Sequence, residues 1–280
     1  MKRTLVVFFI FCIVNLYVHK AWAEKIKVAV TILPQARFVE KVGGKRVQVT
    51  VMVPPGASPH TYEPTPNQLK MVSRARVYFK LGSGMGFELS WLPKIISLNK
   101  NMAVIDCSKG ISLIKNGKRV NPHIWLSPKN AEIMVENIFK SLAQIDPQYK
   151  KYYKKNRDIY LKALKVLDAE IVSSFKHLKR REFIVYHPAW IYFARDYNLV
   201  QIPIQKEGKQ PTPLWIAKVI KQAKIHKIKI IFSSSQFSAK SAEAIARQIG
   251  GKVVLIDPLA KDYLKNMQET AKALLKSNDE

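Results

Sequence analysis

The chain has 280 residues, of which 48% are hydrophobic and 24% charged, and its formal net charge is +27. That composition supports a buried core and excludes a disordered chain, a collagen and a disulfide miniprotein. At about 150 residues per domain, the length fits two lobes.

Lys2 and Arg3 open the chain, residues 5–18 form an apolar run broken only by Asn15, and Ala21-Trp22-Ala23 follows. This is the pattern of a secretory signal peptide over residues 1–23. The run is shorter than the ~20 residues a membrane-spanning helix needs. Cys12 lacks the small residues that precede a lipoprotein cysteine, so no lipid anchor is expected. The mature chain is expected to start at Glu24 in the periplasm. Cys107 is then its only cysteine, which leaves no intrachain disulfide and no multi-cysteine zinc site. A buried structural role is expected for it.

Short β-branched runs predict strands over 25–33, 46–53, 76–81, 103–106, 182–186, 199–204, 228–233 and 252–256. Helical periodicity falls between them, over 34–42, 66–74, 87–98, 128–143, 190–197, 213–224, 239–248 and 262–275. Alternation of this kind predicts an α/β protein with parallel-rich sheets flanked by helices. One segment departs from it. Asp146-Pro147 reads as a helix start, and apolar positions then recur from Tyr149 to Leu178 without an interior glycine or proline. About 32 residues at 1.5 Å each make a helix of about 48 Å, enough to join two lobes rigidly. The expected organisation is a first lobe over 24–145, a linking helix over 146–180 and a second lobe over 181–280.

Removing residues 1–23 lowers the charge by only three. The densest basic cluster, Lys150, Lys151, Lys154, Lys155 and Arg157, lies on the long helix and reads first as a solvated face. No nucleic-acid module accompanies it, and no nucleic-acid partner is expected. Attraction to anionic membrane surfaces is the more natural consequence of the charge.

His60 follows Ser58-Pro59, His123 follows Asn121-Pro122, and His187 follows a predicted strand and precedes Pro188. Asp257 follows the last predicted strand and precedes Pro258. Proline stiffens the backbone around each. Ligands of α/β folds gather beyond the carboxyl ends of parallel strands. Three imidazoles and a carboxylate suit a borderline divalent metal. His177 and His226 sit among lysines and read as surface residues.

Four segments carry a resemblance. Gly56-Ala57-Ser58-Pro59-His60-Thr61-Tyr62-Glu63-Pro64-Thr65-Pro66, Asn121-Pro122-His123-Ile124-Trp125-Leu126-Ser127-Pro128, Tyr186-His187-Pro188-Ala189-Trp190 and Ile256-Asp257-Pro258-Leu259 resemble the metal-ligand motifs of the zinc/manganese ABC-transporter substrate-binding proteins. Phe193-Ala194-Arg195-Asp196-Tyr197, Glu207-Gly208-Lys209-Gln210-Pro211-Thr212-Pro213 and Gln236-Phe237-Ser238 match the same style. The resemblance spans essentially the whole mature chain. It implies two α/β lobes bridged by a long helix, with the metal between them. It also implies that His60, His123, His187 and Asp257 are the ligands and that a membrane permease of an ABC importer is the partner. A monomer is expected.

Three departures stand out. Asn121 occupies a position that is usually Asp in the family, which removes a nearby charge. Residues 108–120 hold no histidine and no acid, where zinc-specific members often carry a His- and acid-rich loop. Ser233-Ser234-Ser235 stands where other members have Glu-Pro. Manganese-selective members generally place glutamate at the position of His187, so three imidazoles favour Zn2+, with a manganese- or iron-binding protein (Mn2+ or iron) of the same transporter class as the alternative. Its affinity is expected to fall as protons compete near pH ~6.5. An exported zinc hydrolase with Glu63 as base is the enzyme alternative, and an adhesin is the third. Four protein ligands would close the site to substrate water, so no enzyme is expected.

Overall fold

The computed structural model describes residues 24–117, 119–205, 210–237 and 239–279. The signal-peptide region 1–23, the Glu207-Gly208-Lys209 motif and Ser238 lie outside the described residues.

Two four-stranded parallel sheets form the framework. The first contains β1 (Ile26–Val30), β2 (Val47–Val51), β3 (Val77–Lys80) and β4 (Ala103–Asp106), in the order β2-β1-β3-β4. A two-stranded hairpin follows, β5 (Lys115–Asn116) with β6 (Arg119–Val120). The second sheet contains β7 (Glu182–Val185), β8 (Val200–Pro203), β9 (Ile230–Ser233) and β10 (Lys252–Leu255), in the order β10-β9-β7-β8. Each sheet therefore has its first-formed strand flanked by the second and third, so the topology is the same in both. All eight long strands fall where the β-branched runs predict them. The hairpin was not anticipated, because Lys115, Asn116 and Arg119 carry no strand propensity.

The helices are α1 (Leu33–Gly43), α2 (Pro66–Val72), α3 (Gly86–Leu98), α4 (Pro128–Ile145), α5 (Lys150–Ser174), α6 (Ile191–Asp196), α7 (Pro213–Ile225), α8 (Ala239–Gln248) and α9 (Tyr263–Asp279). Threonine and serine caps start several of them. Thr65 and Gln68 form a reciprocal capping box on α2, and Ser127 and Thr212 cap α4 and α7.

The linking helix is shorter than its sequence pattern. Residues Pro147–Tyr149 form a single 3-10 turn, and α5 runs for 25 residues, about 37 Å. Asp146 does not cap it. Its carboxylate accepts hydrogen bonds from Tyr153 Oη (2.6 Å) and Arg46 Nη2 (3.0 Å), which outbid the local cap. At the other end Phe175 leaves the helix to pack edge-on against Phe193 and Tyr197.

One continuous hydrophobic core fills the first lobe and runs on into the second. It joins Val28, Phe79 and Trp125 to Tyr153 and Leu164 of α5, then to Phe183, Phe232 and Tyr263. A separate, smaller cluster around Ile184, Ile204 and Ile231 covers the other face of the second sheet. Polar bolts reinforce the shared core. Trp125 Nε1 donates to Pro258 O (2.7 Å), and Tyr263 Oη donates to Trp125 O (2.8 Å). Cys107 is fully buried in the same core, and its thiol is pushed far up by burial. No helix among the described residues is long and apolar enough to cross a membrane.

The loop between β3 and α3 hangs on a buried carboxylate. Glu88 Oε1 accepts from Leu81 N (2.6 Å) and Oε2 from Gly82 N (3.0 Å), while Thr31 Oγ1 also donates to Oε1. Burial raises the Glu88 pKa, and these three donors oppose that shift. Replacing Glu88 by alanine should cost about 3 kcal/mol, because the buried Leu81 amide loses its acceptor. Urea unfolding measures this; a loss under about 0.5 kcal/mol would mean that the loop is held by other contacts.

Candidate metal centre

Two of the three proline-flanked histidines, His60 and His187, follow carboxyl ends of parallel strands, and His123 follows the hairpin. His60 lies in the loop from β2 to α2, His123 between β6 and α4, and His187 two residues past β7. The fold brings them together from both lobes. The Nε2 atoms of His60 and His123 are 3.3 Å apart, and those of His187 and His123 are 3.2 Å apart. The ring centroids lie 5.3, 5.0 and 5.1 Å from one another. His123 is buried, and the other two rings are partly covered.

The second contacts of these rings decide what the first can do. Asn121 Nδ2 donates to Pro188 O (3.1 Å), so its Oδ1 must face His123. That oxygen accepts from the His123 backbone N (3.1 Å) and from Nδ1 (2.9 Å). The proton of His123 therefore sits on Nδ1, and Nε2 presents a bare lone pair. His187 Nδ1 faces Gln205 Oε1 at 3.0 Å, which leaves its Nε2 bare in the same way. Phe237 stacks on the His187 ring at 4.7 Å and fixes its plane. Two lone pairs 3.2 Å apart repel unless a cation lies between them.

The spacing fits such a cation. A tetrahedral zinc with Zn–N of about 2.0–2.1 Å places its ligand nitrogens about 3.3 Å apart. Burial lowers the His60 pKa. Burial and then His60 bring His187 to about 4, with Gln205 opposing. Burial, then His187 and His60, hold His123 well below the ordinary imidazole value. All three rings are thus neutral at pH 7 and ready to ligate.

Asp257 is placed differently. It follows β10, but it is not among the residues whose ligand atoms cluster within 4.8 Å. Its Oδ1 accepts from Leu259 N (2.9 Å) and Gln236 Nε2 (3.1 Å). Gln236 precedes Phe237, the residue stacked on His187. Glu63 is exposed and is not a member of that group. His177 is exposed, and His226 faces Glu182 at 3.5 Å, away from the group.

Sequence reasoning did not identify Gln205 and treated Asn121 only as a lost charge. Asn121 is an orienting residue, and its amide also ties the first lobe to the carbonyl beside His187, which a carboxylate could not do. Gly86 was missed as well. A Cβ there would come 2.7 Å from His60 O, while Phe87 N donates to Pro59 O (2.9 Å). Ser83 Oγ donates to Pro122 O (2.6 Å), so the start of α3 props up both histidine loops of the first lobe.

Comparison with known proteins agrees with this geometry. Residues 28–277 match the family described as ZnuA, zinc-uptake complex component A, periplasmic. The chain belongs to that zinc-uptake family. A solved structure described as ZnuA superimposes with a TM-score of 0.88 at 42% identity, covering 91% of this chain and 100% of that one. A zinc-bound ZnuA variant lacking residues 138–173 of its own numbering gives 0.87 at 42% identity, covering 91% and 98%. The high-affinity zinc uptake system protein ZnuA of Bacillus subtilis is 29% identical over 255 residues, 84% of this chain and 79% of that one. Members of the family are extracytoplasmic binding components of zinc-uptake ABC systems and not enzymes, which sets aside the hydrolase.

The metal-free site should be sensitive to acid. The unfolded chain protonates these imidazoles near 6.5, and the folded chain does so only lower, at about 4 for His187. Between those values the unfolded state binds more protons. Stability is thus fully present above pH ~6.5 and is lost as pH falls toward ~4. Urea midpoints of metal-free protein should drop across this window, and His187→Gln should flatten the drop. The depressed values also move proton competition with a metal below the pH ~6.5 expected from an ordinary imidazole.

Gly86→Ala tests the scaffold. It should weaken zinc binding about tenfold or more by displacing the His60 backbone. Unchanged zinc affinity would show that the loop absorbs the methyl group.

Proposed function

We propose that His60, His123, His187 and Asp257 together hold one Zn2+, which the protein captures outside the cytoplasm and delivers to the membrane permease of an ABC importer. The carrying observation is the approach of His60 Nε2 (3.3 Å) and His187 Nε2 (3.2 Å) to His123 Nε2, with the tautomers of His123 and His187 set by amide oxygens. Asp257 completes the tetrahedron by a turn of its carboxylate. Among the described residues its two hydrogen bonds fall on Oδ1, which leaves Oδ2 to face the ion. Imidazole-rich ligation selects zinc; manganese prefers more oxygen donors.

The shared core opposes wide opening of the lobes over 24–145 and 181–280 about the helix over 146–180. Release then proceeds by local movement. The His60 loop is the part suited to move, because no hydrogen bond holds His60 Nδ1 among the described residues. The protein acts as a monomer without a lipid anchor, its leader removed after residue 23.

Titrating metal-stripped protein with zinc and with manganese checks this reading. One tight equivalent of zinc is expected, with weaker manganese. His123→Ala and His187→Ala should each lose more than about a hundredfold in zinc affinity, beyond the cost of losing an outer partner. Asp257→Ala should lose less than either. Tighter manganese under matched conditions, or unchanged zinc affinity in His60→Ala, His123→Ala and His187→Ala alike, would overturn it.

A further inference from the structure

The exposed side of α5 carries two parallel rows. Residues seven apart return to one face of a helix after two turns. Tyr152, Ile159 and Val166 form the first row, and Ile159 and Val166 are 61% and 50% exposed. Lys151, Lys155 and Lys162 form the second, all exposed and without a carboxylate partner among the described residues. The opposite side of the helix, Tyr153, Tyr160, Leu164, Leu167 and Ile171, is buried in the core. A groove of about 380 Å3 runs beside the apolar row between α5 and α9, lined by Ile159, Ala163, Val166, Leu167 and Leu264.

Of the acids nearby, Asp158 is ion-paired and Glu170 meets only a neutral amide. Asp158 pairs with Lys154 (2.9 Å) and Arg157 (2.7 Å), and Glu170 accepts from Gln268 Nε2 (3.0 Å). Lys151, Lys155 and Lys162 outnumber the exposed Glu170 carboxylate, so the face stays net positive next to bare aliphatic carbon. Aliphatic side chains bordered by lysines on a straight helix are the pattern of a helix lying in a membrane interface. Lysine stems let the ammonium reach headgroups while Ile159 and Val166 enter the acyl boundary. A second copy of the chain is a poor occupant, because its lysine row would face this one.

We propose that α5 docks the protein on an anionic lipid bilayer through Lys151, Lys155, Lys162, Ile159 and Val166. This face lies on the helix side turned away from the core and contributes no residue to the histidine group. Membrane docking and zinc binding are therefore separable. The proposal uses the charge and shape of this face and does not depend on the metal reading.

Co-sedimentation with vesicles tests it. The protein should pellet with phosphatidylglycerol–phosphatidylcholine vesicles, should not pellet with pure phosphatidylcholine, and should release as salt rises. Reversing Lys151, Lys155 and Lys162 to glutamate should weaken binding about tenfold or more. Ile159→Ser with Val166→Ser should weaken it severalfold at constant charge. Reversing Lys218, Lys221 and Lys224 on α7 is the matched control and should have much less effect. Zinc titration and thermal unfolding of each variant confirm that the fold is retained. Absence of binding to the anionic vesicles overturns the proposal, as does an equal loss in the α7 control, which would make the attraction diffuse. Self-association that Ile159→Ser abolishes, in protein that ignores vesicles, would assign the face to a dimer contact.

Discussion

Unprotonated imidazole nitrogens do not rest against one another without cause. Here three rings from two lobes crowd their Nε2 atoms to 3.2–3.3 Å, and the surrounding structure holds them there. Asn121 and Gln205 keep the protons of His123 and His187 on the far nitrogens. Phe237 clamps one ring, and the start of α3 supports the loops of the other two. The energy of the fold is thus used to keep mutually repelling lone pairs together. A divalent cation among the three rings would turn that repulsion into attraction, so the group is arranged before any ion arrives.

The same reasoning explains why the lobes share a core. A wide hinge would separate the ligands between capture events and charge each binding step for their reassembly. Two sheets of identical strand order instead face a common cleft with their carboxyl ends. Trp125, Tyr263 and the amide of Asn121 bolt them together. The basic outer face of α5 lies clear of all this, and its charge can serve the location of the protein without touching its affinity.

Much of this was legible in the linear sequence. Hydrophobic runs and helix starts located the eight long strands and nearly all helix boundaries within a few residues, because each reports a local preference. The errors fell where distant contacts override local ones. Asp146 looked like an N-cap until Arg46 and Tyr153 claimed its carboxylate. The long helix looked seamless through Leu178, but Phe175 is drawn out by Phe193 and Tyr197. The β5–β6 hairpin has no propensity to announce it. Glu88 and Gly86 carried no motif, yet they hold the site loops.

By itself the sequence marked out the side chains expected to meet a metal, three of which the structure groups. Proline-flanked His60, His123, His187 and Asp257 stand in stiff local settings, and stiffness is a property of neighbouring residues. Tertiary structure alone decided that the three imidazoles meet, that they meet neutral, and which nitrogen each of the amide-held rings presents. Those outcomes depend on burial and on oxygens from Asn121 and Gln205. Gln205 is 18 residues from the ring it orients, and the Pro188 carbonyl that fixes the Asn121 amide is 67 residues away. Such pairings exist only once the chain has closed on itself.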